Sequence, residues 1–123
     1  MESLTEMAAV TAVQHASLGE EIVRRINELA AISEEDGKLT RIYLTKELRA
    51  ASDLILGWMR EAGMSAHLDA IGNVCGRYEG ERAGAPCLML GSHYDTVRDA
   101  GKWDGPLGVI TAIACVAEFN RRG

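Results

Sequence analysis

Between Ala85 and Phe119 the chain reads apolar, then acidic with a histidine, then apolar again, and this order constrains the fold more than any other feature. The run APCLMLG has the length of a strand and no charged residue. A strand apolar on both sides is expected to be covered on both faces, which places Cys87–Leu90 inside a sheet. Pro106 to Phe119 is apolar almost all round, so a helix there is expected to be deeply buried. Between the two lies GSHYDTVRDAGKWDG, carrying His93, Asp95, Asp99 and Asp104. Such groups cost free energy beside a core unless something pairs with them, and a metal ion is one such partner.

Upstream, residues 1–16 are Ala-rich with no clear start signal, the pattern of a frayed helix. SLGE then matches a capping box, with Ser17 accepting backbone N–H groups and Glu20 reaching back. Ile22, Ile26 and Leu29 follow at helical spacing, which predicts a helix near residues 18–33 ending at the Gly37 loop. Thr45 opens a second helix near 45–62, with Leu48, Ala51, Ile55, Trp58 and Ala62 on one stripe and Gly63 at its C′ position. AHLDAIGNVCGRYEG gives two short segments around Ile71-Gly72-Asn73, the mark of a hairpin. A third helix is expected near 107–121. Helix, helix, hairpin, buried strand, loop, helix is an α/β order. In open α/β sheets ligands bind where strands end, which is where the His–Asp loop falls.

The bulk properties narrow the function classes. At 123 residues one domain is expected, and 47% hydrophobic content suffices for a core. A net charge of −5 argues against nucleic acid as a partner. No stretch is apolar for long enough to span a membrane. Glu2 and Glu6 stand where a secretory signal would carry Lys or Arg, so the expected location is cytoplasmic. Cys75, Cys87 and Cys115 are widely spaced without a C-x-x-C pair and read as small apolar residues on buried elements.

Residue spacing leaves two readings of the loop open. His93 and Asp104, eleven positions apart, suit metal binding, with Asp95 close enough to hold the other nitrogen of His93. In the plainer reading, Asp104 is only the N-terminal charge of a helix, favoured by the macrodipole. Asp99 reads as a solvated turn residue. His15 and His67 have no matching carboxylate pattern and read as ordinary polar residues. Ser92 is not a nucleophile paired with His93, because adjacent side chains on an extended segment point apart. Gly91, Gly101, Gly105 and Gly108 are expected to let the backbone pack closely around the site.

GSHYDTVRDAGKWDGPLGV resembles the metal-binding signature of the dinuclear metallohydrolases, which include zinc aminopeptidases, N-carbamoyl-L-amino-acid hydrolases and allantoate amidohydrolases. LTRIYLTKELRAASDLILGWMREAGMSAHLDAIGNVCGRYEG is similar to the ureido-substrate branch, above all in WMREAGM and DAIGNVCGR, and DAGKWDG leans toward allantoate amidohydrolases. The likeness runs from about Leu18 to the last residue. It implies a fragment of a three-layer α/β/α zinc-peptidase-like catalytic domain with a largely buried central sheet, residues 1–123 being its N-terminal portion. It implies that His93 ligates one metal, that Asp104 bridges two, and that Asp95 is the catalytic carboxylate orienting His93. The Asp104–Gly105 peptide is expected to be cis, at a cost of about 2.5–4 kcal/mol.

The cofactor implied is a pair of divalent cations, Zn or Mn, and the substrate a small ureido or amide compound such as allantoate or an N-carbamoyl amino acid. In the implied chemistry the cations acidify a shared water and a glutamate takes its proton for attack on the carbonyl. That glutamate, the remaining metal ligands and the dimerisation domain of a homodimeric enzyme are expected beyond Gly123, so the 123 residues are expected to be inactive alone. Two other classes compete: a non-catalytic binding or structural module, and a metallopeptidase of the same superfamily.

Overall fold

The computed structural model of the chain describes residues 4–123, with side chains from Ser17 onward. Three helices and one hairpin follow in order: α1 (Leu4–Ala30), α2 (Lys46–Glu61), β1 (Ser65–Leu68), β2 (Val74–Arg77) and α3 (Pro106–Arg122). The chain is of mixed α/β class, as the element order predicts. The expected first helix starts too late, because α1 runs unbroken through Ser17–Glu20. The capping-box pattern lies inside a helix whose upstream residues contain neither Gly nor Pro, so nothing there stops it. His15 lies outside the residues with described side chains.

The core forms where α1, α2 and α3 meet. Ile26 and Leu29 of α1, Ala51, Ile55 and Trp58 of α2, Ala62 just after it, and Ile110 and Ile113 of α3 make one buried cluster. Every residue of the predicted α2 stripe is buried. Thr45 caps α2 as expected, its hydroxyl accepting from the Leu48 N–H at 3.1 Å. Gly63 at φ +90 supplies the left-handed turn that ends it. The hairpin packs on α2, with Leu68 opposite Val74 and Ser65 opposite Arg77. Its tip is fastened by Asp69, whose carboxylate accepts from the backbone of Ile71 and Asn73 and from the Asn73 amide.

Three expectations are corrected. Cys87–Leu90 is neither strand nor helix; Leu88 is 84% and Met89 88% exposed. A strand buried on both faces needs neighbours, and among the described residues the only ladder is β1 with β2, which pair with each other. The segment is therefore irregular and uncovered, and Cys87 is exposed rather than buried; Cys75 and Cys115 are half-buried free thiols. Finally, α3 buries one side only, through Pro106, Ile110, Ile113 and Ala114, and leaves Leu107 and Phe119 exposed.

A buried arginine ties the helices to the His–Asp loop. Arg41 is 0% exposed, on the segment between α1 and α2. Its Nη1 donates to the carbonyls of Leu29, in the last turn of α1, and of Ile32 just past it, at 2.8 and 2.9 Å. Its Nε and Nη2 both donate to the Tyr94 carbonyl, at 3.0 and 2.8 Å. Helix-end carbonyls lack intrahelical donors and carry partial negative charge, so a cation suits them. The neighbouring backbone continues the seam: Arg41 N–H donates to the Thr96 hydroxyl, Thr96 N–H to the Arg41 carbonyl, and Ala100 N–H to the Leu39 carbonyl.

A second link joins α1 to α2 and is sensitive to acid. Arg25 lies over the Trp58 ring, 5.3 Å from its centroid, and is gripped by Glu21 at 2.6 Å. Glu21 also pairs with Arg24, and this hydrogen bonding, chiefly from Arg24, lowers its pKa from an ordinary 4.5 to about 2. A carboxylate depressed in the folded state stabilises it fully above the unfolded pKa and loses that effect as pH falls through the folded one. Stability is therefore expected to decline between about pH 4.5 and 2, modestly because Glu21 is partly solvated. In Glu21→Gln, melting temperature followed by circular dichroism should show a shallower slope over that interval than in the parent chain.

Candidate metal centre

The loop from Gly91 to Gly105 is anchored from behind and open in front. Behind it, Tyr94 offers its carbonyl to Arg41 while its hydroxyl donates to the Gly72 carbonyl at 2.8 Å and shares a 3.0 Å hydrogen bond with Ser52. The Asp99 N–H donates to the Thr40 hydroxyl at 3.0 Å. Asp99 has φ +54 and is exposed, the turn residue expected. In front, the side chains of His93 and Asp95 are about half exposed, and that of Asp104 is 86% exposed.

The structure brings the three singled-out residues together around one imidazole. His93 Nδ1 lies 3.0 Å from the Asp95 carbonyl oxygen and 3.2 Å from its carboxylate. A carbonyl can only accept, so Nδ1 carries the proton and donates it to Asp95. The lone pair of a neutral ring is then on Nε2, which faces Asp104 Oδ2 at 3.9 Å. That distance is too long for a hydrogen bond. Two ligands held at about 2.0–2.2 Å by a tetrahedral cation lie roughly 3.4 Å apart, so a small swing of the exposed Asp104 carboxylate admits one. The donor types, imidazole and carboxylate, suit Zn²⁺ or Mn²⁺. Among the described residues no group of three His, Cys, Asp or Glu side chains is gathered closely enough to hold a metal ion.

Glycine shapes the cradle at two of the four expected places. A Cβ on Gly105, at φ +89, would lie 2.4 Å from His93 Cε1 and 2.5 Å from the His93 carbonyl oxygen. A Cβ on Gly108 would lie 2.7 Å from the Ser92 side chain. Gly91 and Gly101 face open space, so the expectation fails for them. Ser92 donates to the Gly105 carbonyl at 2.9 Å, closing the loop on itself. The Asp104–Gly105 peptide is trans, against expectation. A cis bond persists only where its surroundings hold it, and here Asp104 stands in solvent.

Asp104 does not cap α3: the N-cap is Gly105, with no side-chain cap hydrogen bond. Arg41, Thr96, Tyr94 and Ser52 were not legible as site residues in the sequence. The available signal for Arg41 was a cation flanked by apolar residues in LTRIYL, away from either amphipathic helix. Gly105→Ala forces a methyl into the His93 ring and strains a left-handed residue. It should cost about 1–3 kcal/mol of stability in urea denaturation and shift the His93 ring resonances in NMR.

No family model matches the chain. Allantoate deiminase 1 of Glycine max is 42% identical over 106 residues, 86% of this chain and 22% of that protein. The N-carbamoyl-L-amino acid amidohydrolase of Geobacillus stearothermophilus is 41% identical over 106 residues, 85% of this chain and 26% of that protein. Among solved structures, a hydantoinase/carbamoylase family amidase from Burkholderia ambifaria superimposes with a TM-score of 0.79 at 35% identity, covering 85% of this chain and 26% of the amidase. The chain thus spans about a quarter of the length of the relatives it matches. Across the residues that align, about 85% of the chain, it is similar to allantoate deiminases and N-carbamoyl-L-amino-acid amidohydrolases.

Proposed function

We propose that these residues form the N-terminal portion of the catalytic domain of a metal-dependent hydrolase. Its targets are the non-peptide C–N bonds of linear ureido or amide compounds, of the kind that allantoate deiminases and N-carbamoyl amino acid amidohydrolases are named for. The observation that carries this reading is the His93 ring, held at Nδ1 by Asp95 and turned at Nε2 toward Asp104. A metal-binding histidine needs its second nitrogen fixed in this way. His93 and Asp104 are the residues that would hold the cation, and Asp95 fixes the ring and its tautomer. A pair of divalent cations, Zn or Mn, would supply Lewis acidity at the scissile carbonyl.

Catalytic zinc sites commonly use three protein ligands and an open position, and His93 with Asp104 falls short of that number. The isolated 123 residues are accordingly proposed to bind Zn²⁺ or Mn²⁺ weakly and to leave ureido substrates intact. Activity is assigned to a homodimeric cytoplasmic enzyme of the relatives' length. No described helix is long and apolar enough to cross a membrane. A net charge of −5 also disfavours a polyanionic partner.

The test is ammonia release from allantoate and from an N-carbamoyl amino acid. The 123 residues alone are expected to release none. Carried in a chain of the relatives' length, the same residues should support metal-dependent release that His93→Ala or Asp104→Ala abolishes. Turnover that survives both substitutions would contradict the assignment.

A further inference from the structure

We infer that Arg41 is a positioning residue for His93 and Asp95, acting through the backbone that lies between them; this rests on the metal-binding reading above. Tyr94 separates the two site residues, and its carbonyl takes two hydrogen bonds from one planar guanidinium. The next residue but one, Thr96, is bound to the Arg41 backbone in both directions, at 2.8 and 2.9 Å. Residues 94 and 96 are therefore both held by a single residue, while the half-exposed side chains of His93 and Asp95 flank Tyr94. The far end of the same guanidinium is seated on Leu29 and Ile32, so the reference frame is the end of α1.

Packing alone does not account for an arginine here. Burial pushes the Arg41 pKa down, with the negative charge of Asp95 opposing the shift, so the site bears a desolvation cost that an apolar residue of similar size would avoid. No carboxylate hydrogen-bonds its guanidinium among the described residues; its partners are the carbonyls of Leu29, Ile32 and Tyr94. What the guanidinium supplies, and a hydrocarbon cannot, is a planar donor array that sets the distance and direction between a helix end and the Tyr94 carbonyl. Sites that are looser by a fraction of an ångström bind metal less well, so a device that fixes the ligand-bearing backbone is expected to show in affinity.

The test is Zn²⁺ titration of the 123-residue chain, read by calorimetry and by the His93 ring resonances, with folding checked by circular dichroism. Arg41→Lys keeps the charge but not the planar fork; it is expected to weaken Zn²⁺ binding about tenfold and to spread the His93 ring over more than one environment without metal. Ile26→Val, which loosens the core away from the loop, is expected to lower the melting temperature and leave affinity within twofold. Folded Arg41→Lys that binds Zn²⁺ as tightly as the parent, with one His93 environment, would overturn the inference. Should Arg41→Lys not fold, Thr96→Val decides. Loss of the hydroxyl that accepts from Arg41 is expected to weaken binding about threefold, and unchanged affinity overturns the inference. His93→Ala distinguishes the underlying reading: if that change leaves Zn²⁺ affinity intact, the metal assignment itself fails.

Discussion

A guanidinium with no exposed surface, bonded to three backbone carbonyls, decides how the parts of this molecule meet. The helix core could form without Arg41, since Ile26, Leu29, Ile55 and Ile110 bury against one another through the hydrophobic effect. That effect has no direction and cannot say where the loop after Leu90 should lie. Hydrogen bonds can. Arg41 and Thr96 stitch the α1–α2 connection to the loop, and Tyr94 extends the stitch to the hairpin tip and to Ser52 on α2. Helices α1 and α2 and the hairpin are thereby tied to the loop that carries the site.

This arrangement divides the loop by chemistry. Its inward groups are backbone carbonyls and hydroxyls, all partnered, as burial demands. Its outward groups are an imidazole and two carboxylates, with the imidazole tautomer set by the Asp95 carbonyl. A free Nε2 lone pair opposite a solvent-exposed carboxylate 3.9 Å away is a poor arrangement for stability, since the two form no hydrogen bond. It is a good arrangement for taking up a cation. Gly105 allows the approach, because its backbone lies where any other residue would place a methyl inside the His93 ring.

The legible parts of the sequence were those governed by local rules. The α2 stripe, the Thr45 cap, Gly63 and the hairpin around Ile71-Gly72-Asn73 depend on neighbours within a few positions, and all appear as read. The association of His93, Asp95 and Asp104 was also legible, because one loop carries all three. Arg41 was not, since its partners sit 12 and 53 positions away and no periodicity announces them. The apolar run at 87–90 misled for a different reason. Apolarity on both faces is a requirement for cover, and the cover has to come from other residues; among the described residues Leu88 and Met89 find none. The capping box misled because a side-chain pattern cannot start a helix that is already running.

The central claim is that His93 Nε2 and the Asp104 carboxylate are turned toward each other to share a divalent cation. Anomalous diffraction at the zinc edge, from crystals of the chain grown with Zn²⁺, tests it most directly. The account predicts a peak about 2.0–2.2 Å from both His93 Nε2 and an Asp104 oxygen, with Asp95 still on Nδ1. A zinc ion on Nδ1, or at Asp95 or a cysteine with His93 and Asp104 unligated, would contradict it.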